Sequence, residues 1–227
     1  MQEYFDEDLG SLKEKLLFMG SYAESAVSQA VQAVTERNDE LALLVQANDD
    51  IMDQYEIDID NLAIQLLSKS PPAPDVRLIT VAMKISQNLE RIGDEATTIA
   101  RRAVELNQDA RLRTHLDIPR MAAVALGMLK ESLDAFVNKE TEKARAIVPR
   151  DKEVDALNKQ IHAALVEHMV ENPDTIGRCL HLMVVSKSIE RIADHATNVA
   201  EDVVYLCEAQ DIRHTGMKSQ AAPPPGA

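Results

Sequence analysis

Apolar residues recur three and four positions apart along almost the whole chain, the spacing that lines one face of an α-helix. Leu12, Leu16, Met19, Ala23, Ala26, Ala30 and Ala33 make one such stripe. The breaks are few. SKSPPAP (68–74) holds three prolines and must end a helix. DARLRTHLDI (109–118) is weakly periodic and precedes Pro119, a residue suited to a first turn. Asn172-Pro173-Asp174-Thr175 stops one helix and offers an N-cap to the next. Softer breaks fall at Arg37–Asp39 and Lys139–Thr141. The pattern predicts six helices, at roughly 3–37, 39–69, 75–108, 119–139, 141–171 and 174–209, followed by a disordered tail.

The order of elements occurs twice. At an offset of 100, residues 90–100 (ERIGDEATTIA) and 190–200 (ERIADHATNVA) agree at seven of eleven positions. At an offset of 102 the earlier helices align, with Met19 on Met121, Ala33 on Ala135, Asp49 on Asp151 and Asp53 on Asp155. The two-residue change lies in the loop between second and third helices, where length varies cheaply. The expectation is an all-α chain of two tandem three-helix bundles, 1–113 and 114–210, with a flexible C-terminal tail, 211–227.

Composition agrees with helix on helix. Aromatics are 3%, Trp is absent, and a sheet would want more aromatic and β-branched surface. A formal net charge of −14 argues against nucleic acid as a partner. Two cysteines, Cys179 and Cys207, both in helical patterns, suit a reducing cytosol rather than a disulfide framework. The acidic N-terminus is no secretory signal. The longest apolar run, Met121–Leu129, is nine residues, where spanning a bilayer takes about 20. The protein is therefore expected to be soluble. Part of that run could face a partner, and core burial explains it equally well.

The charges are patterned too. Each unit carries two carboxylate pairs four residues apart: Asp49/Asp53 with Glu90/Asp94, and Asp151/Asp155 with Glu190/Asp194. Such pairs share a helix face with Cβ atoms about 6 Å apart, and like charges there repel. Asp53 lies 16 residues before Lys69 and Glu90 lies 16 after Pro74; Asp155 and Glu190 stand in the same relation to Glu171 and Asp174. Equal arms of an antiparallel helix pair end at equal height. Each unit can thus gather four carboxylates at one level, where a cation would neutralise them. All-oxygen ligation suits hard ions such as magnesium, manganese or iron. A solvated acidic face is the plainer alternative. His195 reads as a surface residue, because Glu95 stands at its place in the first copy, and Asn198 is a possible extra ligand. A ferritin-like oxidase would want Glu-x-x-His pairs, and the chain has none. Phosphate-binding glycine loops are also lacking, and the histidines form no HExxH or triad-like arrangement.

ERIGD and ERIAD, each late in a three-helix unit, resemble the signature of the PhoU family of bacterial phosphate-uptake regulators. DKEVDALNKQI (151–161) and AQDIRHTG (209–216) resemble further segments of that family. The resemblance covers about residues 8–216. It implies two three-helix bundles side by side in a cytoplasmic, non-enzymatic homodimer. It also implies metal ions (iron, manganese, magnesium or zinc) held by the eight carboxylates named above. The implied partners are the ATPase subunit of a Pst-type phosphate ABC transporter and a PhoR-type sensor histidine kinase. The implied role is to restrain phosphate uptake and keep starvation signalling off when phosphate is plentiful. Two other classes stay open: a carboxylate-metal helical enzyme, hydrolase or oxidase, and a metal-free helical adaptor.

Overall fold

The structure, a computed structural model, describes residues 2–114 and 116–213. Residues 214–227, most of the expected tail, lie outside the described residues. Eight α-helices follow in order among the described residues, with no strand: α1 (Gln2–Glu36), α2 (Asp39–Ala47), α3 (Asp50–Leu67), α4 (Ala73–Asn107), α5 (Ile118–Asn138), α6 (Thr141–Ile147), α7 (Asp151–Glu171) and α8 (Ile176–Glu208). Single 3-10 turns at Val148–Arg150 and Pro173–Thr175 precede α7 and α8.

The chain punctuates itself as its local chemistry dictates. Asn38 caps α2 by accepting the Leu41 N–H at 3.2 Å, and Pro119 opens α5. Helices α1 and α5 end alike. Arg37 (φ 60°) and Lys139 (φ 55°) occupy the left-handed position, and the next amides, Asn38 and Glu140, return to Ala33 O and Ala135 O, both at 3.0 Å. The repeat is thus visible in the caps as well as in the helices.

Two expected helices are divided. Periodicity ran straight through 39–69 and 141–171, yet the first breaks at Asn48–Asp49 and the second at Val148–Arg150. Pro149 accounts for the second, since it has no N–H and its ring collides with the carbonyl four residues back. At the first, the Tyr22 hydroxyl donates to Asn48 O at 3.3 Å, while the Asn48 N–H tightens onto Val45 O. Both breaks come immediately before an acidic pair.

Helices α4 and α8, one from each unit, form the spine. Helix α4 runs antiparallel to α8, as the polar contacts across it show: Lys84 with Asp202 (3.3 Å), Asn88 with His195 (3.0 Å), Glu95 with Arg191 (3.1 Å) and Glu105 with His181 (3.0 Å). Both helices also carry fully buried apolar residues, among them Ile85, Leu89, Ile92 and Ile99 of α4 and Ile189, Ile192 and Val199 of α8. Helix α1 lies along α4, α5 lies along α8, and α1 meets α5, so both units share one continuous core. Most of the Met121–Leu129 run goes into that core, with only Ala123 exposed. Asp202 is buried beside the partly exposed Lys84, and Lys84 and Arg77 lie over the Tyr205 ring at 5.2 and 5.9 Å. Among the described residues, no helix is long and apolar enough to cross a membrane.

Two glycines let helices approach closely. A Cβ on Gly93 would stand 2.9 Å from Met52 Cγ and 3.4 Å from Met52 Cβ, atoms near the α3 backbone. A Cβ on Gly20 would stand 2.6 Å from Leu133 Cδ1, the mobile end of a side chain. Gly93→Ala is therefore expected to lower stability by about 1 kcal/mol, overpacking outweighing the gain in helix propensity. Gly20→Ala should cost less or be neutral. Thermal unfolding followed by circular dichroism checks both, and an equal or smaller loss for Gly93→Ala would contradict the packing argument.

Candidate metal centres

The breaks found above place the acids at helix starts. Asp49 is the N-cap of α3 and Asp53 lies in its first turn; Asp151 opens α7 and Asp155 follows one turn later. Unpaired N–H groups and the helix dipole favour negative charge there. Facing them are Glu90 and Asp94 on α4, and Glu190 and Asp194 on α8. Met52 packed into the hollow at Gly93 brings α3 onto α4 between the two pairs.

Both clusters assemble. In the first, Asp94 is raised above the ordinary carboxylate range by burial and then by Asp49 and Asp53. Glu90 is pushed up to about 7 by burial, then by Asp94, Glu56 and Asp53, with Arg91 offsetting only part. In the second, Asp151 is pushed up to about 6 by burial and then by Asp194, Asp155 and Glu190. Asp194 is raised by burial and then Glu190, against Lys187. The structure thus brings together Asp49, Asp53, Glu90 and Asp94, and separately Asp151, Asp155, Glu190 and Asp194. Among the described residues, however, no three of these side chains converge at ligating distance on one point. Several are turned aside to other partners. Asp49 Oδ1 accepts from the Thr97 hydroxyl at 2.8 Å and its Oδ2 lies 3.9 Å from Arg101, while Glu190 takes the Lys187 ammonium.

The two clusters differ in ways that sequence spacing alone does not show. Glu56 is a fifth acid in the first cluster, itself raised by burial, Asp60 and Asp53. It lies three residues past Asp53 and seven past Asp49, on the same helix face, and that spacing is the signal that points to it. Its counterpart in the second unit, Asn158, is buried and accepts from Ser186 at 2.7 Å. Conversely, the second unit lacks the Thr97–Asp49 bond. Asp151 Oδ1 and the hydroxyl of Thr197, the counterparts of that pair, are both buried with no hydrogen-bond partner among the described residues. A buried acceptor left unmade is costly. Oxygen ligands, two of them orphaned, beside carboxyls that resist ionisation suit a hard cation.

Neither neutral candidate ligand joins. Asn198 is exposed and donates to Asn88 on α4 at 3.3 Å, not to Asp194. His195, expected on the surface, is half-buried between α4 and α8, its Nδ1 3.0 Å from Asn88 Oδ1. Burial and then Arg91 hold its pKa below the usual value. The near-symmetry of α4 and α8 explains this. Glu95 pairs with Arg191 on one side of the spine, and His195, at the equivalent place, meets Arg91 on the other.

A family model for the PhoU domain matches the chain twice, over residues 16–103 and 118–203. The chain belongs to the PhoU family. The chain is 36% identical over 224 residues to a Pseudomonas putida relative, covering 98% of this chain and 88% of that protein. An Aquifex aeolicus relative is 35% identical, with 94% and 97% covered. Both bear the name phosphate-specific transport system accessory protein PhoU homolog. The crystal structure of PhoU from Pseudomonas aeruginosa superposes with a TM-score of 0.88 at 36% identity, covering 91% of this chain and all of that one. That of the phosphate transport system regulatory protein PhoU from Streptococcus pneumoniae gives 0.86 at 25% identity, with 92% and 99% covered. Each PhoU domain contains one complete set of acidic pairs.

The raised carboxyls make metal-free protein sensitive to pH. Folding lifts Glu90 from an ordinary 4.5 to about 7. Between those values the folded chain keeps a proton that the unfolded chain has released. Stability therefore falls as pH rises across that window and levels off above it. Glu90→Gln removes the penalty, so with chelator present its Tm should exceed that of wild type at pH 8 and approach it near pH 4.5. Solvent at the half-exposed site limits the size of the gain. A gain that does not change with pH would mean that charge is not its cause.

Proposed function

We propose that this PhoU-family chain is a non-enzymatic, cytoplasmic regulator of phosphate transport that works as a homodimer and holds metal ions at its carboxylate clusters. The observation that carries the regulatory reading is the doubled family match, with relatives named as phosphate-transport accessory proteins over nearly the full length. The partners in this reading are the ATPase subunit of a Pst-type transporter and a PhoR-type sensor kinase. When phosphate is plentiful, the protein restrains uptake and helps keep the starvation response off.

Orphaned Asp151 Oδ1 and the raised carboxyls support the metal part of the reading. Asp151, Asp155, Glu190 and Asp194 would hold an ion in the second unit, and Asp49, Asp53, Glu90 and Asp94 one in the first, with Glu56 beside them. A bound ion would cancel their mutual repulsion and so tie α3 to α4 and α7 to α8. An enzyme reading is weaker, because a hydrolytic centre wants a base or nucleophile beside the metal. His195 is engaged by Asn88, and Lys187, bound to Glu190, has Gln87 at its place in the first unit.

Two measurements test this reading. In a bacterium deleted for its own PhoU-family protein, expression of the chain should restore low phosphate uptake and low starvation-gene expression in phosphate-rich medium. No restoration, given normal protein levels, would count against the regulatory role. For the metal, saturating Mn²⁺ or Mg²⁺ after chelator treatment should stabilise the protein by about 2–3 kcal/mol at a hundredfold excess over Kd. Asp94→Ala with Asp194→Ala should abolish that gain. An unchanged Tm in wild type leaves the metal-free adaptor, and turnover of a phosphate ester with either ion would instead favour the enzyme.

A further inference from the structure

A cleft of about 750 Å³, counted out to its open mouth, lies where the two units join. Its walls come from the ends of α1 and α4, the connecting segment, and the starts of α5 and α8. Val34, Leu106, Leu112, Leu116 and Leu182 give it an apolar side. The only charged side chains lining it among the described residues are three arginines, Arg37, Arg111 and Arg178. In a chain with 38 acids against 24 lysines and arginines, that lining reverses the overall balance.

The arginines are held in place by backbone rather than neutralised by carboxylates. Arg37 Nη2 donates to the carbonyls of Asn107 (2.7 Å) and Asp109 (2.5 Å). Arg111 Nη2 donates to Thr35 O at 2.8 Å, and Arg178 Nη1 donates to Ala110 O at 2.7 Å. Among the described residues, the one acid within 4 Å of any of them is Asp174, whose largely exposed carboxylate stands 3.8 Å from Arg178. Carbonyls orient a guanidinium without removing its charge. Among the described residues, Nε and Nη1 of both Arg37 and Arg111 have no hydrogen-bond partner, so each keeps donors for a further group. Fixed forks of this kind recognise oxyanions in bidentate fashion. A carboxylate offers two oxygens, enough for one fork, whereas a phosphoryl group offers three or four and can meet several at once.

We propose that this cleft at the junction of the two units is a binding site for a phosphoryl oxyanion, held by Arg37, Arg111 and Arg178. The ion bridges the connecting segment, the end of α1 and the start of α8, so it ties one unit to the other at their junction. The inference rests on the arginine cleft alone and is independent of the carboxylate clusters, so metal binding and phosphate regulation can fail while this site stands, and the reverse.

Isothermal titration calorimetry on the full chain tests it, with inorganic phosphate and glycerol 3-phosphate as separate probes at constant ionic strength. Saturable binding at one site per chain is expected. Arg37→Gln or Arg111→Gln should weaken it at least tenfold, equal to about 1.4 kcal/mol. Tighter binding of glycerol 3-phosphate than of inorganic phosphate assigns the site to an organic phosphate lying against the apolar wall, and the opposite order assigns it to the free ion. These substitutions also loosen the connecting segment, so a second measurement uses the unaltered protein. Phenylglyoxal modification of the three arginines, read by peptide mass spectrometry, should slow when either probe is present. No saturable binding of either probe by about 10 mM, far weaker than useful recognition, overturns the proposal. So does binding left unchanged in both variants, or arginines that the probes fail to protect.

Discussion

The antiparallel contact of α4 with α8 is the interaction on which the other elements depend. Each helix carries the acidic phrase of its own unit on one face and meets the other helix along a different face, crossed by the polar pairs Lys84–Asp202, Asn88–His195 and Glu95–Arg191. That leaves each acidic face for α3 or α7 to cover. The same contact makes the two units one body: α1 and α5 lie against the spine and against each other, and the core runs through without a boundary. The polar pairs along the spine add register. Glu95–Arg191 and the buried Asp202 beside Lys84 would be mismatched by a shift of one turn.

On that frame, like charges are gathered where they would not gather alone. Apolar packing, with Met52 seated at Gly93, draws α3 onto α4 and carries Asp49 and Asp53 toward Glu90 and Asp94. Burial first, and then the mutual repulsion, make these carboxyls hold their protons more tightly, and the helix starts at Asp49 and Asp151 relieve part of the repulsion. The two clusters solve the remaining problem differently: Thr97 satisfies Asp49, whereas Asp151 Oδ1 and the Thr197 hydroxyl have no partner among the described residues. Duplication has kept the acids and varied what surrounds them, so the two sites need not hold an ion equally well.

Much of this was legible in residue order because helices report themselves locally. An apolar stripe, a proline cluster, or a cap at Asn38 depends on residues within a few positions of each other. Repetition made the acidic pairs stand out, and equal arm lengths indicated which helices would bring them together. What escaped were features decided across the fold. The breaks before α3 and α7 are small local events, at Asn48 and Pro149, inside periodic patterns that continue past them. Glu56 was hidden because its counterpart in the second unit is Asn158, so the repeat that marks the other acids does not mark it. His195 was misplaced because its environment is set by Asn88 and Arg91 on a helix a hundred residues earlier.

By itself, the sequence determined the helical class, the doubling of a three-helix unit, the family signature and the eight acids, all of which follow from spacing along one chain. Only the tertiary structure decided how those acids are partnered, which of their oxygens lie buried without a bond, and that three arginines from three segments face one cleft. The reason is physical. Period and capping act over a few residues, whereas burial, partner choice and the sign of a local field are sums over everything packed nearby, whatever its distance along the chain.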